Sequence, residues 1–195
     1  KKKIIIHGKG LHGLKKPFSE IYLGNSGTSA RLLTGLLASQ NFKSKLTGDE
    51  SLSSRPMKRI SEPLIQMGGK IQTTNNSLPI YIDGNVLNSS EININIPSAQ
   101  IKSGLLLAAL KTKGLTKIIE NSITRNHTEI MLEAFNANIK SKKEDKKKII
   151  TIEGNKEMTC KNIDVPSDLS SSAFFIVAAL INKNSKLELK DININ

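Results

Sequence analysis

The stretch LGNSGTSARLLTG, residues 23–35, sets small polar residues against the start of an apolar pattern. Leu32, Leu33, Leu36 and Leu37 recur at helical spacing, which predicts a helix over Ser29–Ala38. One capping residue suffices to start a helix. Here Asn25, Ser26, Gly27, Thr28 and Ser29 stand in a row, with Arg31 just inside. Outward from this point, Phe42–Leu46 reads as a short strand. Pro56–Met67 reads as a second helix, with Pro56 in the first turn, where its missing N–H breaks no bond. Gly68 and Gly69 end that helix. Lys70–Thr73 and Leu78–Ile82 read as strands around the turn Asn75-Asn76-Ser77.

The pattern then recurs. Ser98–Leu110 is again a small polar start followed by Leu105, Leu106, Leu107 and Leu110. Leu115–Glu120 reads as a strand and His127–Phe135 as a helix ended near Asn136. Ala137–Lys142 and Lys147–Glu153 pair around a charged turn. Arg55 and Arg125 lie 70 positions apart, as do Thr28 and Ser98. A third copy opens at VPSDLSSSAFFIVAAL, residues 165–180, with Ser167 lying 69 positions after Ser98, and stops just past the strand-like LELKDI. Lys2–His7 reads as the strand tail of an earlier copy. Such a period predicts an α/β architecture built from one repeated supersecondary unit, with this chain a piece of a longer protein. A chance likeness between two α/β segments is the alternative.

The chain has 195 residues, 37% of them hydrophobic, only 4% aromatic and no Trp, so Ile and Leu must build the core. The net charge of +12 favours an anionic partner: nucleic acid, a membrane surface, or small phosphorylated or carboxylated substrates. Solvated surface lysines account for the same number. Cys160 is the single cysteine, so no intrachain disulfide forms and a reducing compartment fits. No motif surrounds Cys160, and a structural role is expected. The longest apolar run, Ala173–Ile181, falls well short of the roughly 20 residues a membrane span needs. KKKIIIHG, residues 1–8, has too short an apolar part for a signal peptide.

Several signals are discounted. Gly8, Gly10 and Gly13 match GxGxxG, but Leu14-Lys15-Lys16-Pro17 follows and no helix starts there, as the dinucleotide fingerprint requires. His7, His12 and His127 lie far apart, and no cluster suggests a metal or cofactor. The lysine run over Lys140–Lys148 has no interleaved aromatic and reads as an exposed hairpin turn, not a nucleic-acid patch.

What remains is the polar helix starts. The first turn of a helix leaves backbone N–H groups unpaired, and the dipole adds partial positive charge, so together they make an anion site. Gly27 lets a ligand approach the backbone, and Thr28, Ser29, Ser98 and Ser167 add hydroxyls. If the repeats pack side by side, these starts face one surface. The polar run is then a ligand cradle as well as a cap, although capping alone explains the same residues. Arg55, at a loop–helix junction just before Pro56, can grip a carboxylate or phosphate through its planar fork. Gln100, in a first helical turn, offers an amide that both donates and accepts.

Five segments occur in order: LGNSGTSARLLTGLLAS, LTGDESLSSRPMKRISEPLIQMGGKI, IPSAQIKSGLLLAAL, SITRNHTEIMLEAF and VPSDLSSSAFFIVAAL. Together they resemble the 5-enolpyruvylshikimate-3-phosphate synthase (EPSP synthase) family over nearly the whole chain. The resemblance implies transfer of the enolpyruvyl group of phosphoenolpyruvate to the 5-hydroxyl of shikimate 3-phosphate. It implies a cytoplasmic enzyme of aromatic amino acid synthesis without a cofactor, nucleic-acid partner or membrane association. It implies a two-lobed fold of βαβαββ units, here incomplete: residues 1–163 as part of the first lobe and 164–195 as the start of the second. Asn25 and Gly27 match the phosphoenolpyruvate-side loop, and Arg55 the arginine that binds phosphoenolpyruvate. Ser98, Ala99 and Gln100 match the shikimate 3-phosphate site, with Gln100 touching both substrates. Thr124 falls where a serine contacts the shikimate phosphate; Arg125 and His127 share its segment, and Asp168 matches an aspartate at the start of the second lobe. Glyphosate is expected to occupy the phosphoenolpyruvate site, with Gly27 marking a sensitive form.

The chain also departs from the family. Its Lys-Ser-x-x-x-Arg segment and the acidic residues of proton transfer are missing, so the general acid and base are expected outside this chain, and the fragment is expected to be inactive and poorly soluble alone. Ser167 stands where glycine is common. Rival readings are the sister UDP-N-acetylglucosamine enolpyruvyl transferase, whose loop cysteine Cys160 matches poorly, a basic nucleic-acid-binding module, and a catalytically dead fragment with an interaction role.

Overall fold

Two copies of one βαβαββ unit follow each other in the computed structural model, which describes residues 3–193 and 195. In the first copy β1 (Ile21–Tyr22), α1 (Gly27–Ala38), β2 (Lys43–Thr47), α2 (Glu50–Ser53), α3 (Lys58–Gln66), β3 (Lys70–Thr74) and β4 (Ser77–Asp83) give the sheet order β1-β2-β4-β3. In the second, β5 (Glu91–Ile94), α4 (Ala99–Ala109), β6 (Leu115–Glu120), α5 (His127–Ala134), β7 (Ile139–Glu144) and β8 (Lys147–Glu153) give β5-β6-β8-β7. The first pair of each sheet is parallel and the others antiparallel. These elements belong to one compact unit that runs to Cys160; residues from Lys161 onward form another.

Local chemistry explains the turns. Asn75 and Asn76 both take positive φ, 50° and 60°, as a two-residue hairpin turn requires, and asparagine tolerates that region. Asn136, at φ 62°, turns the chain out of α5. Gly68, at φ 89°, does the same after α3. Within the sheets, residues alternate: Leu78, Ile80 and Ile82 of β4 and Ile150 and Ile152 of β8 point into a single core that both sheets share.

Two helices occupy the middle of that core. α4 is buried on nearly every side, and α1 along Gly27, Ala30, Thr34, Gly35, Leu37 and Ala38. They run parallel, with Arg31 against Gln100 near the start, Gly35 against Gly104, and Gln40 against Lys111 at the far end. A Cβ on Gly35 would lie 1.9 Å from the Gly104 carbonyl oxygen, so only glycine permits this approach. The packing brings both N-termini to one end.

The structure corrects several expectations. β1 and β5 were not anticipated: β1 has two residues, and β5 sits in an asparagine-rich stretch where only Ile92 and Ile94 turn inward. The segment before Pro56 is not all loop. Asp49 accepts the Leu52 N–H at 2.7 Å and starts α2, one turn too short to show a period. Pro56 lies outside α3, which begins at Lys58. Residues 3–7 form no strand, and Lys2 lies outside the described residues. LELKDI forms no strand either; the second unit holds an isolated bridge between Ser167 and Ile192. Its helix α6 (Ala173–Ile181) buries no residue. Cys160 is exposed, so the structural role expected for it has no packing behind it. Among the described residues no helix is long and apolar enough to cross a membrane.

Candidate functional site

At the start of α1, Ser26 caps the helix by accepting the Ser29 N–H at 3.1 Å, and its hydroxyl donates to that of Ser29 at 2.8 Å. Asn25 makes the neighbouring clamp. Its amide donates to Asp49 Oδ2 at 2.9 Å, and its carbonyl oxygen accepts from Arg55. The Leu52 N–H, the Asn25 amide and the Arg55 charge hold the Asp49 carboxyl below the usual range. Gly27 completes the cluster: a Cβ there would stand 2.9 Å from Arg31 Nη1 and 3.1 Å from Arg55 Nη1. Glycine therefore admits two guanidinium ends over the first turn of the helix.

At the start of α4, Ser98 caps by accepting the Ile101 N–H at 3.3 Å. The Gln100 amide works in both directions. Its oxygen accepts from Arg31 Nη1 at 2.9 Å and its nitrogen donates to the Thr28 hydroxyl at 2.9 Å. Arg31 also donates to the carbonyls of Gly27 at 3.2 Å and Pro56 at 3.4 Å. One guanidinium thus joins both helix starts to the loop ahead of α3. Burial, then the charges of Arg55 and Arg59, push the Arg31 pKa down.

Ser98, Ala99, Gln100, Thr124 and Arg125 line one cavity of about 590 Å³ together with Arg31 and Arg59. The Thr124 hydroxyl donates to Glu120. Asn25, Gly27 and Arg55 lie beside this cavity, joined to it through Arg31. The structure therefore brings eight expected residues into one neighbourhood: Asn25, Gly27, Arg55, Ser98, Ala99, Gln100, Thr124 and Arg125. The two remaining expected residues are His127 and Asp168. His127 is the exposed first residue of α5 and does not line the cavity. Asp168 belongs to the second unit, where it accepts the backbone N–H of Ser170 at 3.2 Å and of Ser171 at 3.0 Å and caps the turn ahead of α6. Arg31 was missing from the expected set. Its signal was legible: a cation near the positive end of a helix opposes the dipole and needs a reason to be there.

Chemically, the arrangement suits a small polyanion. Four arginines, Arg31, Arg55, Arg59 and Arg125, surround two helix N-termini and their hydroxyls. Among the described residues no group of three or more His, Cys, Asp or Glu side chains is placed to hold a metal ion.

The family model of EPSP synthase (3-phosphoshikimate 1-carboxyvinyltransferase) matches residues 1–195. The 3-phosphoshikimate 1-carboxyvinyltransferase of Pelobacter propionicus is 46% identical over 192 residues, covering 97% of this chain and 44% of the relative. That of Ruthia magnifica is 48% identical over 193 residues, covering 98% and 43%. The EPSP synthase structure from Acinetobacter baumannii superposes with a TM-score of 0.83 at 47% identity, over 97% of this chain and 42% of that one. The chain spans less than half the length of the curated relatives it matches. With the repeated units, the paired helix starts and a match along its whole length, the chain belongs to the EPSP synthase family.

Proposed function

We propose that this chain supplies substrate-binding parts of an enzyme that transfers the enolpyruvyl group of phosphoenolpyruvate to the 5-hydroxyl of shikimate 3-phosphate, releasing phosphate. The observation that carries the proposal is Arg31: its guanidinium lies at Gly27 beside Arg55 and bonds Gln100, so two anion-binding helix starts share one cation. The geometry supports phosphoenolpyruvate at Asn25, Gly27 and Arg55, and shikimate 3-phosphate at Ser98, Ala99, Gln100, Thr124 and Arg125. Gln100 lies between the two.

The reaction is an addition followed by an elimination. A proton adds to the methylene carbon of phosphoenolpyruvate while the shikimate 5-oxygen bonds to the neighbouring carbon and its proton leaves. The tetrahedral adduct then loses phosphate, and a proton from the new methyl group, to restore the carbon–carbon double bond. Both substrates are polyanions that repel each other, so fixed cations and backbone N–H groups must hold them in contact. That is the work assigned to Arg31, Arg55, Arg125 and the starts of α1 and α4. The proton-transfer groups belong to the rest of the parent enzyme. In this reading residues 1–163 are part of one lobe and 164–195 open the next. The location is cytoplasmic, where the exposed Cys160 thiol stays reduced.

Calorimetric titration of the chain tests the proposal. Shikimate 3-phosphate binds, and UDP-N-acetylglucosamine does not compete. Phosphate release from both substrates together stays at the level of a control without protein. Failure of shikimate 3-phosphate to bind, or equal binding of the sugar nucleotide, overturns the reading.

A further inference from the structure

Beneath the cavity lies a charged cluster that the reaction scheme does not use. Lys102 sits on α4 two residues past Gln100, and its side chain is wholly buried. Its ammonium donates to Glu120 Oε2 at 3.0 Å and meets Glu129 Oε1 at 2.9 Å. Lys148 also donates to Glu129 Oε1, at 3.0 Å. Glu120 is the last residue of β6, and its other oxygen accepts the Thr124 hydroxyl. The cluster links α4, the segment carrying Thr124 and Arg125, the first turn of α5, and β8.

Stability does not explain such an arrangement. Desolvating ions is expensive, and apolar side chains of similar size often do as well or better. What the cluster provides is a fixed hydrogen-bond acceptor under Thr124 whose charge Lys102 cancels. An unbalanced carboxylate at that place would repel the anion that Ser98, Gln100 and Arg125 attract.

We propose that Glu120 and Lys102 are positioning residues of the substrate site. Glu120 holds the Thr124 hydroxyl, and the segment around it, against the cavity. Lys102 anchors Glu120 and neutralises it. A ligand phosphate then meets Ser98, Gln100 and Arg125 with the Thr124–Arg125 segment already fixed by the Thr124–Glu120 bond. The identity of that ligand as shikimate 3-phosphate rests on the function proposed above; the positioning role rests on the geometry.

The test uses the 195-residue chain, shikimate 3-phosphate as titrant, and amide hydrogen exchange over Asn121–Asn126 in the absence of ligand. Glu120→Leu with Lys102→Met replaces the pair by apolar side chains and leaves Glu129 paired with Lys148. It binds about tenfold more weakly, the scale of one hydrogen bond to a charged group. Adding Thr124→Val to this variant changes affinity by less than about twofold, whereas Thr124→Val alone weakens binding about tenfold, because the residues act as one unit. Glu120→Gln with Lys102→Met, which keeps an acceptor for Thr124, recovers most of the affinity. Unchanged binding in the apolar variant, or independent and additive losses, overturns the proposal. Hydrogen exchange tests the tie without ligand. Faster exchange over Asn121–Asn126 in the apolar variant than in Glu120→Gln with Lys102→Met supports the tie; equal exchange overturns it. If the apolar variant does not fold, Thr124→Val supplies the comparison, and exchange as slow as in the native chain overturns the tie. If no form binds shikimate 3-phosphate, the proposed function falls and the exchange result still decides the positioning role.

Discussion

The starts of α1 and α4 share a cap and differ in the cation behind it. Ser26 and Ser98 each accept the N–H three residues on, at 3.1 and 3.3 Å. Behind α1, the guanidiniums of Arg31 and Arg55 meet over Gly27, both half-buried. Behind α4, Lys102 is fully buried between two carboxylates. The repeat thus reproduces the backbone geometry and the Arg55–Arg125 spacing but not the cation inside the helix. One copy leaves its cations half-buried at the helix start; the other locks its cation between carboxylates. Two equal anion sites would bind two anions independently, whereas this asymmetry lets one arginine serve both helix starts.

The comparison breaks first if the helices are forced apart. Gly35→Ala places a methyl 1.9 Å from the Gly104 carbonyl oxygen, a backbone atom that cannot swing away. The expected loss is about 3 kcal/mol, at the upper end for overpacking, read as a lower urea midpoint. A midpoint within experimental error of the native chain would show that α1 and α4 do not need this contact.

Arg55→Ala comes next and separates the two starts. Phosphoenolpyruvate binding weakens by roughly 1.5–3 kcal/mol, the scale for a hydrogen bond to a charged group. Shikimate 3-phosphate binding stays within about twofold, since Arg55 does not line the α4 cavity. Equal losses for both ligands in calorimetry would mean that the starts form one undivided site.

Gly27→Ala has a smaller effect. The added methyl meets the flexible ends of Arg31 and Arg55, at 2.9 and 3.1 Å, which can move. Stability changes by less than about 1 kcal/mol, because alanine suits a helix and strains no backbone. Phosphoenolpyruvate and glyphosate bind several-fold more weakly as the guanidiniums are displaced; unchanged glyphosate binding would remove Gly27 from the site.

The smallest effect is the pH response of the exposed clamp. The Asp49 carboxyl is depressed, so its contribution to stability is present above the ordinary aspartate pKa, about 3.9, and fades as pH falls through its lower folded value. Acidification below about pH 4 therefore lowers the urea midpoint of the native chain more than that of Asp49→Asn, which keeps a capping side chain. Identical acid profiles would leave the clamp without energetic weight.

Much of this was legible in the residues. The leucine spacing of α1 and α4, the Asn75-Asn76 turn and the spacing of Arg55 and Arg125 revealed the repeat, because amphipathic periods and left-handed turns leave marks in short windows. The ordered segments pointed to Gly27, Arg55 and Gln100. Less legible were β1 and α2, too short for a period, and the partners of Arg31, since Gln100 and Pro56 lie 69 and 25 positions away from it. Lys102 reads as one more lysine on an α4 surface; only its enclosure by Glu120 and Glu129, and the Thr124–Glu120 bond, ties it to a residue that lines the cavity.

By itself, then, the sequence determined the unit, its repetition and the small polar starts of the helices, since each depends on groups within a few residues of one another. The tertiary structure alone decided that two such starts stand side by side, that one guanidinium joins them, and that a buried lysine backs the second. Those facts depend on how closely α1 and α4 approach through Gly35 and Gly104, a contact between residues far apart along the chain that no local pattern encodes.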